Sequence, residues 1–242
     1  MTKRINSEAK VLLLDIEWRP AQAYVWRMWD ENIQPDMLID HGGMLCFCAN
    51  WEGSKDFMFY SEWEHGREGM AEAARQLLDQ ADAVVTYNGD KYDLPKITGE
   101  IVLAGLQPPA PVTSIDVIKT IKKFGFNMNR LAYIGPLLGV GGKIKHEGFN
   151  LWKEVMDGNT TAQKKMMKYC IQDVRLLAKL YNKIKPFIKN HPRLDRNPEA
   201  CPACNSKKTQ RRGWRVTRCF QIQRNQCQNC GHWFESTRKK IS

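Results

Sequence analysis

Four acids stand where they could hold divalent metal. Asp15 and Glu17 lie two residues apart in VLLLDIEW (11–18), and on a strand that spacing puts both on one face. Buried charge beside an apolar run is costly unless compensated. A divalent cation would compensate it; two acids facing water at a strand end is the plainer alternative. Asp93 opens the helix-like run after DAVVTYNG, where an acid also serves free N–H groups and the helix dipole. It abuts the apolar LPKI segment, whereas Asp90 better suits the turn. Asp173 lies in KYCIQDVRLLAKLY (168–181) among the core candidates Val174, Leu176, Leu177 and Leu180. Tyr169, four residues earlier, shares its helix face, and Lys165 or Lys168 could pair with the carboxylate. As a set, Asp15, Glu17, Asp93 and Asp173 offer hard oxygen donors for two Mg²⁺ or Mn²⁺ ions. Two such ions about 4 Å apart clamp a phosphodiester for hydrolysis. Tyr169, a phenol with a pKa of about 10, suits holding a water or phosphate oxygen better than acting as base. Asp116, in TSIDVIKT, is an accessory acid or, equally, a capping one.

A second constellation is sulfur. Cys201 and Cys204 form one C-x-x-C pair, Cys227 and Cys230 another, with 22 residues between the pairs. In a cytosolic chain such pairs suggest zinc more than disulfides. Four cysteines leave no open position, so one structural Zn²⁺ is expected in a zinc ribbon of short antiparallel strands. Gly231 suits the tight turn, and His232 is a lesser ligand candidate. Cys46, Cys48 and Cys170 fit as buried small hydrophobes; Cys219 is spare.

These residues need elements to position them. VLLLDIEW, MLCFCANW (44–51) and DFMFY (56–60) read as strands, with EGSK as the turn between the last two. Helical spacing follows over 69–81, a short buried strand over 82–88 and a helix over 91–106. The segment 111–124 begins extended and turns helical. A short helix over 131–140 precedes the longest helical pattern, 161–188, limited by Pro186. Three strands followed by alternating helices and a strand predict an α/β domain with a mixed sheet flanked by helices over residues 9–190. HPRLDRNPEA reads as a linker (191–200), and 201–236 as the ribbon, too small for a large core without metal.

The 242 residues carry a formal charge of +11. Residues 191–242 hold 12 Lys or Arg against 3 Asp or Glu, a balance of +9, and the remainder is close to neutral. Zinc on four thiolates would lower the tail to +7. That concentration favours a polyanionic partner. Arg211, Arg212 and Arg215, interspersed with Trp214, Phe220 and Trp233, are candidate nucleic-acid contacts in the ribbon; protein docking is the rival use. No apolar run reaches 18 residues and the N-terminus lacks an apolar signal core. A cytoplasmic protein with no membrane association is expected.

The motifs in order resemble the DnaQ-like, ribonuclease H-fold 3′→5′ exonucleases of the DEDD class, Tyr variant, relatives of the exonuclease domains of family B DNA polymerases. LLLDIEW supplies Asp15 and Glu17. VVTYNGDKYDLP supplies Tyr87-Asn88 and Tyr92-Asp93-Leu94-Pro95, selecting Asp93 over Asp90. YCIQD supplies Tyr169 and Asp173, and Lys168 stands where the other subclass has histidine. The resemblance covers about residues 9–190. It implies a ribonuclease H-like fold and two-metal hydrolysis of a DNA or RNA strand from its 3′ end; of the two, DNA is the expected partner. A replication or repair protein is a further partner through the ribbon.

Between helices, KFGFNMNRLAYIG (123–135) and GGKIKHEGFNLW (141–152) mix glycine, base and aromatic. Arg130, Lys143, Lys145 and His146 are candidate phosphate contacts there. Tyr87, Asn88 and Phe126 are candidates for the terminal nucleotide. Trp26 and Trp29 are expected to pack as core or lid. Two rival functions share this fold: a non-catalytic nucleic-acid binder or scaffold, which has no need of four intact acids, and a structure-specific endonuclease.

Overall fold

The computed structural model describes residues 9–144, 148–189, 191–193, 197 and 199–241. The chain opens with β1 (Val11–Arg19), then a two-stranded excursion made by β2 (Gln22–Ala23) and β3 (Leu38–Asp40). β4 (Gly43–Trp51), β5 (Phe57–Ser61), α1 (Glu62–Gln80), β6 (Ala83–Thr86), α2 (Asp93–Leu103) and β7 (Thr113–Asp116) follow. The helical half comprises α3 (Val117–Ile121), α4 (Leu131–Leu137), α5 (Phe149–Met156) and α6 (Thr160–Ile184). The C-terminal unit is β8 (Thr209–Val216), β9 (Phe220–Cys227) and β10 (Trp233–Lys240).

The main sheet has the order β5-β4-β1-β6-β7. β1 runs antiparallel to β4, with Leu14 opposite Ala49, and parallel to β6, with Leu13 opposite Val85. The sheet is therefore mixed, as the alternation of element types predicts. Strand β1 is buried on both faces, and its period of two divides its side chains. Val11 and Leu13 join the core beneath α6, while Leu12, Leu14 and Ile16 join the core beneath α1 and α2. Asp15 and Glu17 continue the Val11–Leu13 row and so emerge on the α6 side.

Helix α6 presents a matching stripe. Met166, Tyr169, Cys170, Asp173, Val174, Leu177 and Leu180 are buried at helical spacing. Asn159 caps the helix, its side-chain oxygen accepting from the N–H groups of Thr161 and Ala162. On the other face Glu100 of α2 is buried and takes a bidentate pair from Arg67 of α1 (2.5 and 3.0 Å) and the Met44 N–H (3.1 Å). One carboxylate thus ties both helices to β4.

Three elements differ from the sequence reading. Helix α1 begins at Glu62, before residue 69, because the left-handed Gly66 (φ 68°) joins a leading turn to the main helix. Helix α5 is additional; its Leu151 and Val155 are buried against α6. Strand β10 runs to Lys240, past residue 236, because its basic residues pair with β9 as far as Phe220.

Beyond α6, His191 is buried against Tyr181. Its Nδ1 donates to the Pro192 carbonyl (2.9 Å) and its Nε2 accepts from the Tyr181 hydroxyl (2.7 Å). Burial holds the imidazole neutral down to about pH 4. The unfolded chain takes up that proton near pH 6.5, so stability is lost as pH falls from about 6.5 towards 4. This group should contribute about 2 kcal/mol of that loss between pH 7 and pH 5. Urea unfolding of the native chain and of His191→Gln at both pH values measures it: the drop should be smaller in the variant by about that amount, and equal drops would exclude it.

Candidate active site and cysteine centre

The sheet, α2 and α6 bring the acids together. Carboxylate oxygens of Asp15, Glu17 and Asp173 lie within 4.8 Å of one another. Asp93 stands beside this trio rather than within it. It is buried at the start of α2, and its Oδ1 accepts from the Ile16 N–H (3.2 Å), the peptide between the two β1 acids. The loop leading to Asp93 is close-packed: a Cβ on Gly89 would fall 2.3 Å from Thr86 Oγ1.

Such a cluster cannot be fully ionised on its own. Burial, then the charges of Asp93, Glu17 and Asp173, push the Asp15 carboxyl well above the ordinary range. Burial and Asp173 push Glu17 up to about 8. Burial also raises Asp93, to about 6, against the opposing Ile16 N–H. Oxygen donors at this density, short of positive charge, fit a hard divalent cation. Asp15, Glu17 and Asp173 can hold one, with Asp93 in reach of its field.

Among the described residues, the cation in contact with the trio is Lys143. Its ammonium lies 2.5 Å from Asp173 Oδ2 and 3.1 Å from the Tyr169 hydroxyl. Burial works against that charge, but Asp173 outweighs it and the lysine pKa rises. Gly135 of α4 makes the placement possible, because a Cβ there would meet the Gly141 carbonyl at 2.5 Å. The helix and the Lys143 loop therefore approach more closely than any other residue permits. Tyr169 is buried and rests edge-on against Trp152 (6.2 Å). Burial and the charges of Asp173 and Glu17 raise its phenol, which stays protonated and is available for hydrogen bonding.

Asp90 and Asp116 have other work. Asp90 takes Lys119 and Ser114 as partners. Asp116 accepts from the backbone N–H groups of Asn88 (2.7 Å), Asp90 (3.4 Å) and Ile118 (3.3 Å). It fixes the turn before α2, in which Asn88 is left-handed (φ 69°), and caps α3. Tyr87 donates its hydroxyl to the Asn129 carbonyl (2.6 Å), and burial followed by Asp116 pushes it up to about 12. Phe126 packs half-buried against Phe124 (5.7 Å). Both rings keep partial exposure, and Arg130 is exposed at the start of α4. Lys145 and His146 lie outside the described residues.

Sequence reasoning missed a rim beside the acids. Lys96 of α2 sits 3.5 Å from the Trp18 ring centre and 4.7 Å from that of Tyr92. Tyr92 is partly exposed, and its phenol is raised by burial and then by Glu17. The i, i+4 spacing of Tyr92 and Lys96 is the available signal. Trp26 and Trp29 are neither core nor lid packing: both are exposed on the excursion between β2 and β3. That excursion forms its own two-stranded ribbon outside the main sheet, and no described residue buries its rings.

Cys201, Cys204, Cys227 and Cys230 bring their sulfurs within 4.8 Å of one another. Burial raises the Cys201 thiol. Burial also works against the Cys227 thiolate, yet the N–H groups of Cys230 and Asn229 overcome it and bring that thiol down to about 7. Left-handed Gly231 (φ 78°) closes the second knuckle. The four soft donors can hold a zinc ion. His232 is turned away from them; it is buried and donates from Nδ1 to the Pro186 carbonyl (2.7 Å), joining the knuckle to the end of α6. Arg211 and Arg212 are exposed on β8, with Arg212 bonded to Gln226 (3.2 Å), and Arg215 is paired with Glu235 (2.7 Å). No described helix is long and apolar enough to cross a membrane.

No curated protein matches the chain. A family model described as the RNase H superfamily matches residues 42–185. The match takes in Asp93, Lys143, Tyr169 and Asp173, begins after the β1 acids and ends before the cysteines. It spans more than half of the chain, and with the mixed five-stranded sheet it establishes that the chain belongs to the RNase H superfamily.

Proposed function

We propose that this chain is a metal-dependent 3′→5′ exonuclease acting on DNA, at single-stranded or frayed 3′ ends, by a two-metal mechanism. The observation that carries the reading is the convergence of Asp15, Glu17 and Asp173 within 4.8 Å, with Asp173 buried and the two β1 acids partly exposed. Asp93 completes the acid set, and Tyr169 and Lys143 touch it. In the reaction, water attacks the terminal phosphorus; a P–O bond forms, the P–O3′ bond breaks, and a nucleoside 5′-monophosphate leaves a new 3′-hydroxyl. Divalent ions, when bound, supply charge for the phosphate oxygens and ease deprotonation of the water. The chain's own groups hold and orient. Asp15, Glu17 and Asp173 bind the ions, and Asp93 keeps β1 in register with α2. Tyr169 positions the water or a phosphate oxygen, and Lys143 meets phosphate charge. Polarity rests on the motif resemblance.

The ribbon, with one structural zinc on Cys201, Cys204, Cys227 and Cys230, aids nucleic-acid binding through Arg211 and Arg212. The paired Arg215 is the weaker contact. An added role in docking a replication or repair protein is compatible with the same surface.

The test is 5′-labelled single-stranded DNA and RNA, with Mg²⁺ or Mn²⁺ and an EDTA control. A descending ladder is expected only with metal, and a circular single strand should stay intact; cutting of the circle would establish an endonuclease instead. Asp15→Asn and Asp173→Asn should each slow hydrolysis on the order of 10³-fold, with circular dichroism unchanged. Tyr169→Phe should cost less, roughly 10- to 100-fold, the worth of a hydrogen bond to a charged group. Full activity in either Asn variant would remove the metal site from the mechanism. Metal analysis should find one zinc per chain, lost in Cys227→Ser together with protease resistance of residues 201–240; a zinc-free, equally resistant native chain would contradict the ribbon.

A further inference from the structure

The excursion between β2 and β3 is rooted firmly, and no described residue covers its tip. Its stem pairs Gln22 with Asp40 and Ala23 with Leu38, and the Tyr24 N–H bonds to the Met37 carbonyl (3.0 Å). Asp40 is fixed in turn by Arg19 (2.7 Å) and the Gly42 N–H (2.6 Å). The tip then presents Tyr24, Trp26 and Trp29 at 77, 92 and 79% exposure. Large rings held out in water on a braced stem mark an interaction surface.

Its position points to the occupant. The stem begins five residues after Glu17, at the C-terminal end of β1, the end that carries the acids. At about 3.3 Å per residue it starts within roughly 17 Å of Glu17, about five nucleotide steps at 3.4 Å. Trp18, Lys96 and the partly exposed Tyr92 line the rim at that end of the sheet. The excursion itself is not built for phosphate. Residues 24–37 hold Arg27 against Asp30, Glu31 and Asp36, and Arg27 leans on Glu31 (3.7 Å). This acidity repels phosphates and anionic lipid surfaces. It leaves the uncharged faces of unpaired bases as the complement to the rings, while the chain's +11 charge draws the backbone elsewhere.

We propose that Tyr24, Trp26 and Trp29 form a base-stacking clamp that grips unpaired nucleotides a few steps from the acid cluster. Single strands are thereby selected over duplexes, whose bases are already stacked. The inference rests on the nuclease reading for what happens at the strand's end, but not for the stacking itself.

The experiment uses the full chain carrying Asp173→Asn, so that binding is read without hydrolysis. The probes are fluorescein-labelled dT20 and an abasic chain of equal length. Trp26→Ala/Trp29→Ala should weaken dT20 binding about 10- to 100-fold and leave abasic binding unchanged. Trp26→Phe/Trp29→Phe should restore most of the loss, which a change of fold would not allow. Undiminished dT20 affinity in the Ala variant overturns the clamp. If that variant instead dissociates a dimer that the native chain forms, the surface is a dock between copies of the chain and the clamp is equally overturned. If the native chain cuts no strand yet binds dT20 through these rings, the clamp stands and the nuclease reading falls. If it cuts and the rings do not matter, the reverse holds.

Discussion

Mutual repulsion among closely gathered carboxylates is the constraint on which the rest of this molecule depends. Asp15, Glu17 and Asp173 share a space of 4.8 Å with Asp93 alongside, and among the described residues the ammonium of Lys143 is the cation in contact with them. A flexible scaffold would relieve the strain by letting the acids drift into water. Here they cannot. Asp15 and Glu17 extend a row of strand positions whose neighbours are fully buried, and Asp173 belongs to the stripe by which α6 covers the sheet. Separating them would mean unpacking the core. The same rigidity that makes the acid-only state costly makes the cluster a strong site for a hard cation.

Lys143 is the counterpart of this strain. Its loop is drawn in by the close approach of Gly135 and Gly141, and its ammonium bonds both Tyr169 and Asp173. A positive charge in that place lowers the cost of an ionised Asp173. Tyr169, with its phenol raised by burial and the surrounding acids, can only donate or accept hydrogen bonds.

Much of this is legible in the sequence because it is periodic. The step of two in DIE and the step of four in YCIQD state which face each acid takes once strand and helix are recognised, and both elements are long and strongly apolar. Asp93 stands out by its place before LPKI, but its bond to the Ile16 N–H depends on how α2 meets β1, which no local pattern encodes. Lys143 reads as a phosphate contact; its partners are set by two glycines making a tertiary approach. Trp26 and Trp29 escape a correct reading because composition favours burying indoles, and only the three-dimensional course of the excursion shows that no described residue buries them. Helix α5 follows a glycine-rich stretch that masks its short apolar stripe.

The two metal-competent clusters differ in a way that keeps them from interfering. Carboxylates such as those around Asp15 suit hard ions; thiolates such as those around Cys227 suit zinc. Zinc could also enter an oxygen site, so a chain with only carboxylates would depend on the metal supply. The cysteine cluster provides a far better zinc site on the same chain, and it is closed. Its sulfurs form most of the small core of the ribbon, with Ala203 and Phe234, so metal there replaces missing apolar burial. His232 then spends its imidazole on the Pro186 carbonyl rather than on the ion, and Arg193 rests over Phe234 (5.3 Å). The knuckle that metal would stiffen is thus joined to the turn that follows α6, the helix that carries Tyr169 and Asp173 near its middle.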